Sequence, residues 1–414
     1  MSKRKDNMLT NEEKRLVYYA TTDKPTTPSS VTPNTPLSEL NLNWRERDLP
    51  ERERTKHVHR LHPYLGKFIP QLVEIFLRKY FSPGQTVLDP FAGSGTTLVQ
   101  ANELGVNSVG YDISAFNVLL VHAKTQRYDI DLVKKEILDI IEKVQQQTQS
   151  NMPQLTLWET GDVNRPNNSL NGTDYLKKWF APQALNELLA FRDFISNYQY
   201  QDILKVILSR SARSARLTTH FDLDFPKSPQ IEPYRCYKHG RTCQPTTTAY
   251  QFLKRYSLDT IKRIEEYSTK RTNANIDVYH EDSTIADFPV IDGIITSPPY
   301  VGLIDYHEQH RYAYELLDLK DQSPSEIGPA KNGSSKRAQQ DYKELIATAF
   351  KHAIKSMPSG GRLIVVAGDR HNLYDDIANL CEVSVEAIIN RHVNRRTGRR
   401  SSDFYESVFI WRKP

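Results

Sequence analysis

The fold is decided by residues 86–97, which read TVLDPFAGSGTT. An apolar strand ends at Asp89, a Gly-x-Gly turn follows at Gly93 and Gly95, and a helical pattern begins directly after it. The glycines let the backbone pass close to a ligand and adopt dihedral angles that a side chain would forbid. Free N–H groups at the start of the helix favour an anionic group such as a carboxylate. The segment therefore predicts a strand–turn–helix unit that binds a small ligand.

A second strand ends at Asp112, about twenty residues further on, where an acid is well placed to accept hydrogen bonds from ribose hydroxyls. The glycine spacing matches neither the Gly-x-Gly-x-x-Gly pattern of dinucleotide-binding folds nor a P-loop. Strand, turn, helix and strand in this order predict a right-handed parallel unit.

Residues 291–300 read IDGIITSPPY, a buried β-branched strand followed by two prolines and a tyrosine. Two prolines cannot continue a sheet ladder, so the chain must leave the strand at Ser297 in a stiff, extended loop. The loop carbonyls beside the Tyr300 ring suit the exocyclic amino group of a flipped nucleobase. The alternative is a proline-rich turn after a core strand, with Tyr300 packed in the core.

Taken together, these segments resemble amino-methylating, site-specific DNA methyltransferases of restriction–modification systems. The resemblance covers roughly residues 55–125 and 275–414, and it includes the segments 62–70 and 279–283. It implies S-adenosylmethionine as cofactor and the loop Ser297, Pro298, Pro299 and Tyr300 as the catalytic segment. The cofactor residues that it implies are Lys67, Asp89, Phe91, Gly93, Gly95, Thr96, Thr97, Asp112 and Asp282.

Serine at the first position of the Ser-Pro-Pro-Tyr loop is typical of family members that modify cytosine N4. Adenine N6 enzymes usually carry Asp or Asn there, so the resemblance favours cytosine and leaves adenine as the alternative. An RNA guanine-N2 methyltransferase is a more distant alternative, since such enzymes usually carry an appended RNA-binding module that no segment here resembles. The residues that follow the loop, Asp305, Tyr306, His310 and Arg311, are candidates for the base pocket. Tyr306 and His310 share one helical face at i and i+4, so structural packing is the alternative for them.

The composition predicts a cytoplasmic protein without a membrane segment. The 414 residues include 25% charged and 38% hydrophobic ones, and no stretch approaches the ~18 apolar residues that span a bilayer. Three cysteines are too few for a disulfide framework. We expect double-stranded DNA as a partner, and the resemblance implies a restriction endonuclease that acts separately.

The order of the motifs predicts an α/β fold. It is a Rossmann-like methyltransferase sheet, mostly parallel with an antiparallel last strand, and it carries a largely helical inserted target-recognition region. The predicted parts are a flexible N-terminal arm (1–40), a cofactor-binding half (41–130), the insertion (131–272) and a catalytic half (273–414). The arm is predicted because residues 21–37 are rich in Thr, Ser and Pro and poor in apolar side chains.

The insertion carries a concentrated positive charge. Residues 205–271 hold 14 Lys and Arg against 6 Asp and Glu, which exceeds the net charge of +5 of the whole chain. We interpret this charge as a DNA-contacting surface, with an ordinary basic surface as the alternative. The predicted DNA-binding residues are Arg213, Arg216, Arg235, Lys238, Arg241 and, in a basic loop before the last strand, Arg395 and Arg396.

One motif in the insertion offers metal ligands. Cys236, His239 and Cys243 are close in sequence, but their spacing is not a standard Cys-x₂₋₄-Cys pair, and His220 is only a candidate fourth ligand. The sequence therefore favours a structural loop, and no bound metal is predicted.

Overall fold

The structure, a computed structural model, describes residues 17–20, 22–150, 172–220, 222–223, 226–393 and 404–414. Within these ranges an eight-stranded sheet forms the centre, and a two-stranded hairpin stands apart from it. The strands are β1 (Val17–Tyr18), β2 (Thr86–Asp89), β3 (Asn107–Tyr111), β4 (Tyr234–Cys236), β5 (Arg241–Cys243), β6 (Ile276–Tyr279), β7 (Gly293–Thr296), β8 (Arg362–Ala367), β9 (Ser384–Val393) and β10 (Phe404–Arg412).

The sheet has the order β1-β9-β10-β8-β7-β2-β3-β6. All neighbouring pairs are parallel except those of β10, which runs antiparallel to both β8 and β9. This confirms the predicted mostly parallel sheet with an antiparallel last strand. The chain proceeds from β2 toward β3 and β6 on one side and later continues at β7 and β8 on the other. The order therefore reverses between β2 and β7, which opens a crevice at the carboxyl ends of these two strands.

Thirteen α-helices occur in the described ranges, and they surround the sheet and build the insertion. They are α1 (Glu51–Arg54), α2 (Pro70–Tyr80), α3 (Thr96–Glu103), α4 (Ala115–Thr125), α5 (Ile130–Ser150), α6 (Asp174–Trp179), α7 (Pro182–Phe194), α8 (Gln201–Ala215), α9 (Tyr250–Ser268), α10 (Tyr306–Gln309), α11 (Arg311–Leu317), α12 (Lys336–Lys355) and α13 (Tyr374–Leu380). None of these helices has the length and apolar content that a bilayer crossing requires.

Alternating residues of the central strands supply two cores, one on each face of the sheet. On β8, Leu363 and Val365 pack in the same cluster as Phe350 of α12. Ile364 and Val366 point the other way and pack in the cluster that contains Phe76 of α2. The period of two places every second side chain on the same face, so a continuous apolar run fits a strand covered by helices on both sides.

The insertion shares a core with the catalytic part of the chain. Helices α5 to α9 form one buried cluster together with residues of α4 and α11, including Phe116 and Tyr312. The helical character predicted for residues 131–272 is therefore present in the described part of that range. The predicted domain boundaries stay a prediction.

The predicted flexible arm is corrected for residues 22–40. Val31 and Leu40 are buried in the cluster under the sheet, together with Leu42 just beyond them. The Lys79 ammonium of α2 also donates to the Thr35 carbonyl at 2.6 Å. A few apolar side chains are enough to hold this polar stretch against the protein, because they pack on the apolar face of the sheet. Residues 1–16 lie outside the described ranges.

Candidate active site at the carboxyl edge of the sheet

A cleft lies where β2 and β7 end, at the point where the strand order reverses. It holds about 810 Å³ of empty space, part of it open to solvent, which is in the range of ligand-binding pockets. The glycine turn after β2 and the proline loop after β7 both contribute to its wall. Two segments just over 200 residues apart in sequence, at Gly93 and Ser297, thus meet in one cavity.

Six of the nine predicted cofactor residues line the cleft, and three do not. The six are Lys67, Phe91, Gly93, Thr96, Asp112 and Asp282. Asp89, Gly95 and Thr97 lie behind the wall: Asp89 and Thr97 are fully buried, and Gly95 precedes the first turn of α3. The six residues on the wall can contact a bound molecule. The three residues behind it shape the loop that carries those contacts.

The glycine turn needs its two glycines for conformation. Gly93 and Gly95 have φ values of +49° and +74°, in the left-handed region that favours glycine. A Cβ atom on Gly95 would also lie 2.9 Å from Val121 Cγ2, because α4 packs directly against the turn. At Gly93 the nearest atom to such a Cβ is the Tyr64 hydroxyl oxygen at 3.4 Å.

Asp89 ties the two loops of the site together from behind. Its Oδ1 accepts hydrogen bonds from the Thr296 hydroxyl at 2.7 Å and from the Phe91 N–H at 3.1 Å. Burial raises the pKa of Asp89 to about 6, against the opposing effect of these hydrogen bonds. Thr97 adds a second tie, since its hydroxyl donates to the Ile295 carbonyl of β7 at 3.2 Å.

Asp112 is held rigidly at the end of β3. Its Oδ2 accepts from the Gly93 N–H at 2.7 Å, and its Oδ1 accepts from the Ser114 N–H at 2.8 Å and the Asn117 amide at 3.0 Å. Burial raises the pKa of Asp112, which these hydrogen bonds partly offset. A carboxylate has about four lone-pair sites, so it keeps acceptor capacity toward the cleft. That capacity is what a pair of ribose hydroxyls requires.

Lys67 and Asp282 complete the predicted set at the rim of the cleft. The Lys67 ammonium donates to the His59 carbonyl at 2.9 Å, and burial lowers the pKa of Lys67 to about 8. One oxygen of Asp282 accepts both the N–H and the hydroxyl of Thr284, at 2.9 and 2.8 Å. Asp282 is therefore fixed at the turn after β6, on the wall of the cleft.

The proline loop presents some of its groups to the cleft and anchors the others. Ser297 and Pro299 line the cleft, while Pro298 and Tyr300 are not among the described residues on its wall. The Pro299 carbonyl accepts a hydrogen bond from the Tyr342 hydroxyl at 2.8 Å. No residue in the described ranges donates to the Pro298 carbonyl. This carbonyl therefore keeps its acceptor capacity.

Tyr300 is anchored through a buried ion pair. Its hydroxyl donates to Glu406 Oε1 at 3.1 Å, and the other Glu406 oxygen lies 3.0 Å from Arg391 Nε. The Tyr300 ring packs partly against the core on the α12 side of the sheet. Burial raises the pKa of Tyr300 well above its ordinary value, so the phenol stays protonated. These contacts support the alternative in which Tyr300 is packed in the core.

Several wall residues lie outside the predicted cofactor and catalytic sets, namely Tyr64, Asn117, Tyr306, His307 and Glu326. The Tyr64 and Tyr306 rings stack with centroids 5.8 Å apart, and the His307 N–H donates to Glu326 Oε1 at 2.8 Å. Tyr64 lies in the segment 62–70 that carries the family resemblance, and Tyr306 is among the candidates after the loop. Glu326 follows no recognisable motif, so only the fold brings it to the site.

The residues outside the cleft that were expected to bind DNA fall into different environments. Arg235, Lys238 and Arg241 are exposed on the β4–β5 hairpin, and Arg213 is half-buried on α8. Arg395 and Arg396 lie outside the described residues.

The prediction for Arg216 needs correction. Its side chain is buried, its guanidinium lies 4.4 Å from the centre of the Tyr312 ring, and it donates to the Leu223 carbonyl. A guanidinium stacked and bonded inside the protein is not available to a phosphate. Arg210 is similarly engaged, since it pairs with Asp259 at 2.7 Å.

A mostly parallel sheet with a glycine turn, an acid at the end of the next strand and a cleft at the strand-order reversal is typical of a Rossmann-like methyltransferase. A family model described as DNA methylase, of the N6/N4 class, matches residues 1–122. The chain is 37% identical to the type II methyltransferase M.MjaII of Methanocaldococcus jannaschii, over 87% of this chain and 81% of that protein. It therefore belongs to the type II DNA methyltransferases of restriction–modification systems, and S-adenosylmethionine is the methyl donor.

Further similarities are more distant. The type II methyltransferase M.MvaI of Kocuria varians is 23% identical over 66% of this chain and 61% of that protein. The crystal structure of TrmN from Thermus thermophilus is 12% identical, with a TM-score of 0.34 over 84% of this chain and 50% of that chain.

Proposed function

We propose that this protein transfers a methyl group from S-adenosylmethionine to the exocyclic N4 of cytosine within a specific sequence of duplex DNA. One observation carries the choice of base: a serine, Ser297, begins the proline loop and lines the cleft beside the glycine turn. An acidic or amide residue at this position is typical of the adenine N6 enzymes that the chain resembles. Adenine N6 therefore remains the competing base.

The cofactor supplies a methyl group already activated by its positive sulfonium, so the residues of the chain have to position the amine and the cofactor. Asp112 is proposed to accept the ribose hydroxyls, because it lies on the wall and keeps acceptor capacity beyond its three internal hydrogen bonds. Phe91 offers an apolar surface and Asp282 a fixed carboxylate on the same wall, both suited to an adenine ring with its amino group.

The amine is a poor nucleophile because its lone pair is delocalised into the base ring. Hydrogen bonds from its two protons to the Ser297 hydroxyl oxygen and the Pro298 carbonyl oxygen would favour tetrahedral geometry at nitrogen and localise the lone pair. The stiffness of the Pro-Pro step keeps these two acceptors in place before the base arrives. No strong base is needed, because the nitrogen becomes acidic only as its new bond to carbon forms, and water can take the proton afterwards.

Tyr300 is proposed to support the flipped base by stacking, which contributes roughly 1–3 kcal/mol for base–aromatic contacts. Its anchor through Glu406 and Arg391 fixes the ring before the base enters. The competing role of Tyr300 is packing in the core. In that case, replacing Tyr300 should have no selective effect on the methylation of DNA.

DNA is proposed to bind through the exposed basic residues of the β4–β5 hairpin, Arg235, Lys238 and Arg241. Arg213, at the end of α8, is a further candidate. In the cell we propose that methylation protects host DNA from a separate restriction endonuclease.

Expression of the gene in a host whose DNA lacks modified bases tests the proposal. Sequencing of the modified DNA should report N4-methylcytosine at one short sequence, and a Ser297→Ala variant should leave most such sites unmodified. Modification of adenine alone would replace the proposed base while keeping the family and the cofactor. Methylated RNA with unmodified DNA would contradict the substrate class.

A further inference from the structure

Four potential metal ligands converge at the β4–β5 hairpin. They are His220, Cys236, His239 and Cys243, and their ligand atoms all lie within 4.8 Å of one another. Both sulfur atoms belong to buried cysteines that form no disulfide. His220 comes from the loop after α8, while the other three belong to the hairpin. The cluster thus joins two separate segments of the insertion.

The distances between these atoms match a tetrahedral metal site. His239 Nδ1 lies 3.4 Å from Cys243 Sγ and 3.7 Å from Cys236 Sγ, and His220 Nδ1 lies 3.5 Å from Cys236 Sγ. With Zn–S near 2.3 Å and Zn–N near 2.05 Å, tetrahedral geometry places sulfur and nitrogen about 3.6 Å apart. All three sulfur–nitrogen distances lie within about 0.2 Å of this value.

The hairpin is short and buries few of its strand residues. Each of its strands is three residues long, and among its strand residues only Cys236 and Cys243 are buried. Isolated two-stranded hairpins are at best marginally stable in water, and small units of this kind are often fixed by a structural metal. Gly240, with φ +64° directly after His239, lets the turn bring the hairpin ligands to one side.

A second group of potential ligands, His57, His59 and Glu103, is a weaker candidate for a metal. Glu103 already pairs with the Lys56 ammonium at 2.7 Å, and its other oxygen lies 2.8 Å from His57 Nε2. The Lys56 ammonium already bound to this carboxylate would repel a metal cation. This group also contains no cysteine sulfur.

We propose that His220, Cys236, His239 and Cys243 bind one Zn²⁺ ion as a closed, four-coordinate structural site. Two thiolates and two imidazoles are a ligand set that zinc prefers, and no position stays open for catalysis. The Tyr234 hydroxyl, 2.8 Å from His220 Nδ1, can rotate its hydrogen away when the ion takes that nitrogen. The sequence predicts no metal here, because the Cys-x₂-His-x₃-Cys spacing is unusual and His220 is distant in sequence; the folded geometry leads to the opposite conclusion.

The ion would fix the hairpin that carries Arg235, Lys238 and Arg241 on its exposed surface. This consequence rests on the proposed DNA contact, whereas the metal site itself does not. A structural ion in the insertion would make DNA binding sensitive to chelators while S-adenosylmethionine binding in the cleft stays unchanged.

Metal content of the purified full-length protein tests the site without DNA or methyl transfer. We expect about one zinc ion per chain by elemental analysis, and loss of most of it in Cys236→Ser and in His239→Ala. Cys381→Ala is the matched cysteine control, because Cys381 is buried against α12 and should leave the zinc content unchanged. His57→Gln is the control for the second group. Retained S-adenosylmethionine affinity would show that each variant is folded.

Cobalt substitution of the wild-type protein gives a test that needs no variant. Co²⁺ bound by two thiolates in tetrahedral geometry absorbs strongly in the visible range, and addition of Zn²⁺ should remove that absorption. Wild-type protein that holds no zinc and develops no such absorption would overturn the proposal. So would zinc that persists in the Cys236→Ser variant or disappears in the His57→Gln variant. None of these results depends on which base is methylated.

Discussion

The cleft and the hairpin hold their charged groups in opposite ways. At the cleft, the carboxylate of Asp112 on the wall and that of Asp89 behind it are buried or nearly so, and each accepts at least two hydrogen bonds from fixed partners. On the hairpin, Arg235, Lys238 and Arg241 are exposed. A buried charge is weakly screened and its removal has a large effect, whereas exposed charges are screened by salt and act additively. The comparison predicts large effects of single changes in the cleft and small, cumulative effects on the hairpin.

The largest effect is expected for the buried carboxylate. The folded-state pKa of Asp89 is raised from 3.8 to about 6, so the folded protein binds this proton more tightly than the unfolded chain. The resulting stabilisation is complete below about pH 4 and is lost as the pH rises through 6, a change of about 3 kcal/mol. Asn at this position cannot titrate, so the stability of Asp89→Asn relative to wild type should rise by that amount across the window. Urea unfolding of both proteins at each pH measures it, and a pH-independent difference would contradict the burial argument.

The second effect concerns the acid at the end of β3. If Asp112 accepts the ribose hydroxyls, Asp112→Ala should weaken S-adenosylmethionine binding by about 1.5–3 kcal/mol, roughly 10- to 150-fold. Asp112→Asn keeps one oxygen acceptor, so its affinity for S-adenosylmethionine should lie between those of the wild type and Asp112→Ala. Calorimetric titration measures both variants, and unchanged affinity in both would remove Asp112 from the cofactor site.

The third effect concerns the proline loop. The hydrogen bond from the amine to Ser297 matters most when the nitrogen leaves planarity. Ser297→Ala should therefore raise the activation free energy by about 1–3 kcal/mol, which lowers kcat roughly 5- to 150-fold. The variant should change KM less. Tyr300→Phe serves as the neighbouring control, because it keeps the ring and should keep most of the activity. A Ser297→Ala variant with raised KM and normal kcat would assign Ser297 to binding alone.

The smallest effect per residue is expected on the hairpin. Changing Arg235, Lys238 and Arg241 together to Ala should make the salt dependence of DNA binding shallower by up to about three phosphate contacts. The same charge change at Lys135, Lys351 and Lys355, exposed on α5 and α12, is the control. Salt titrations of DNA affinity compare the two triple variants. Equal slopes for both would show that the hairpin has no special part in DNA binding.

The sequence predicts the cleft better than it predicts the insertion, for a physical reason. Gly93 and Gly95 permit the left-handed backbone of their turn, and the Pro-Pro step after Ser297 fixes its own backbone conformation, so local residues are enough to recognise both. Both motifs lie at the same sheet edge because β2 and β7 are parallel neighbours. Glu326 reaches the cleft only through the tertiary fold, and no local pattern marks it.

Composition alone could not assign the basic residues of the insertion. Arg216 and Arg235 contribute equally to a charge count, yet one is stacked in the interior on Tyr312 and the other is exposed. The arm residues Val31 and Leu40 show the converse, since isolated apolar side chains in a polar stretch are buried by a partner surface that the stretch itself does not reveal. His220 likewise reaches the cysteines of the hairpin through the tertiary fold, and its distance from them in the sequence does not reveal this.

The central claim is that the cleft methylates cytosine N4 in DNA. The most direct test incubates the purified protein with unmodified DNA and S-adenosylmethionine that carries a deuterated methyl group, then identifies the nucleosides by mass spectrometry. The account predicts deuterated N4-methylcytosine as the product. Deuterated N6-methyladenine as the only product would contradict it.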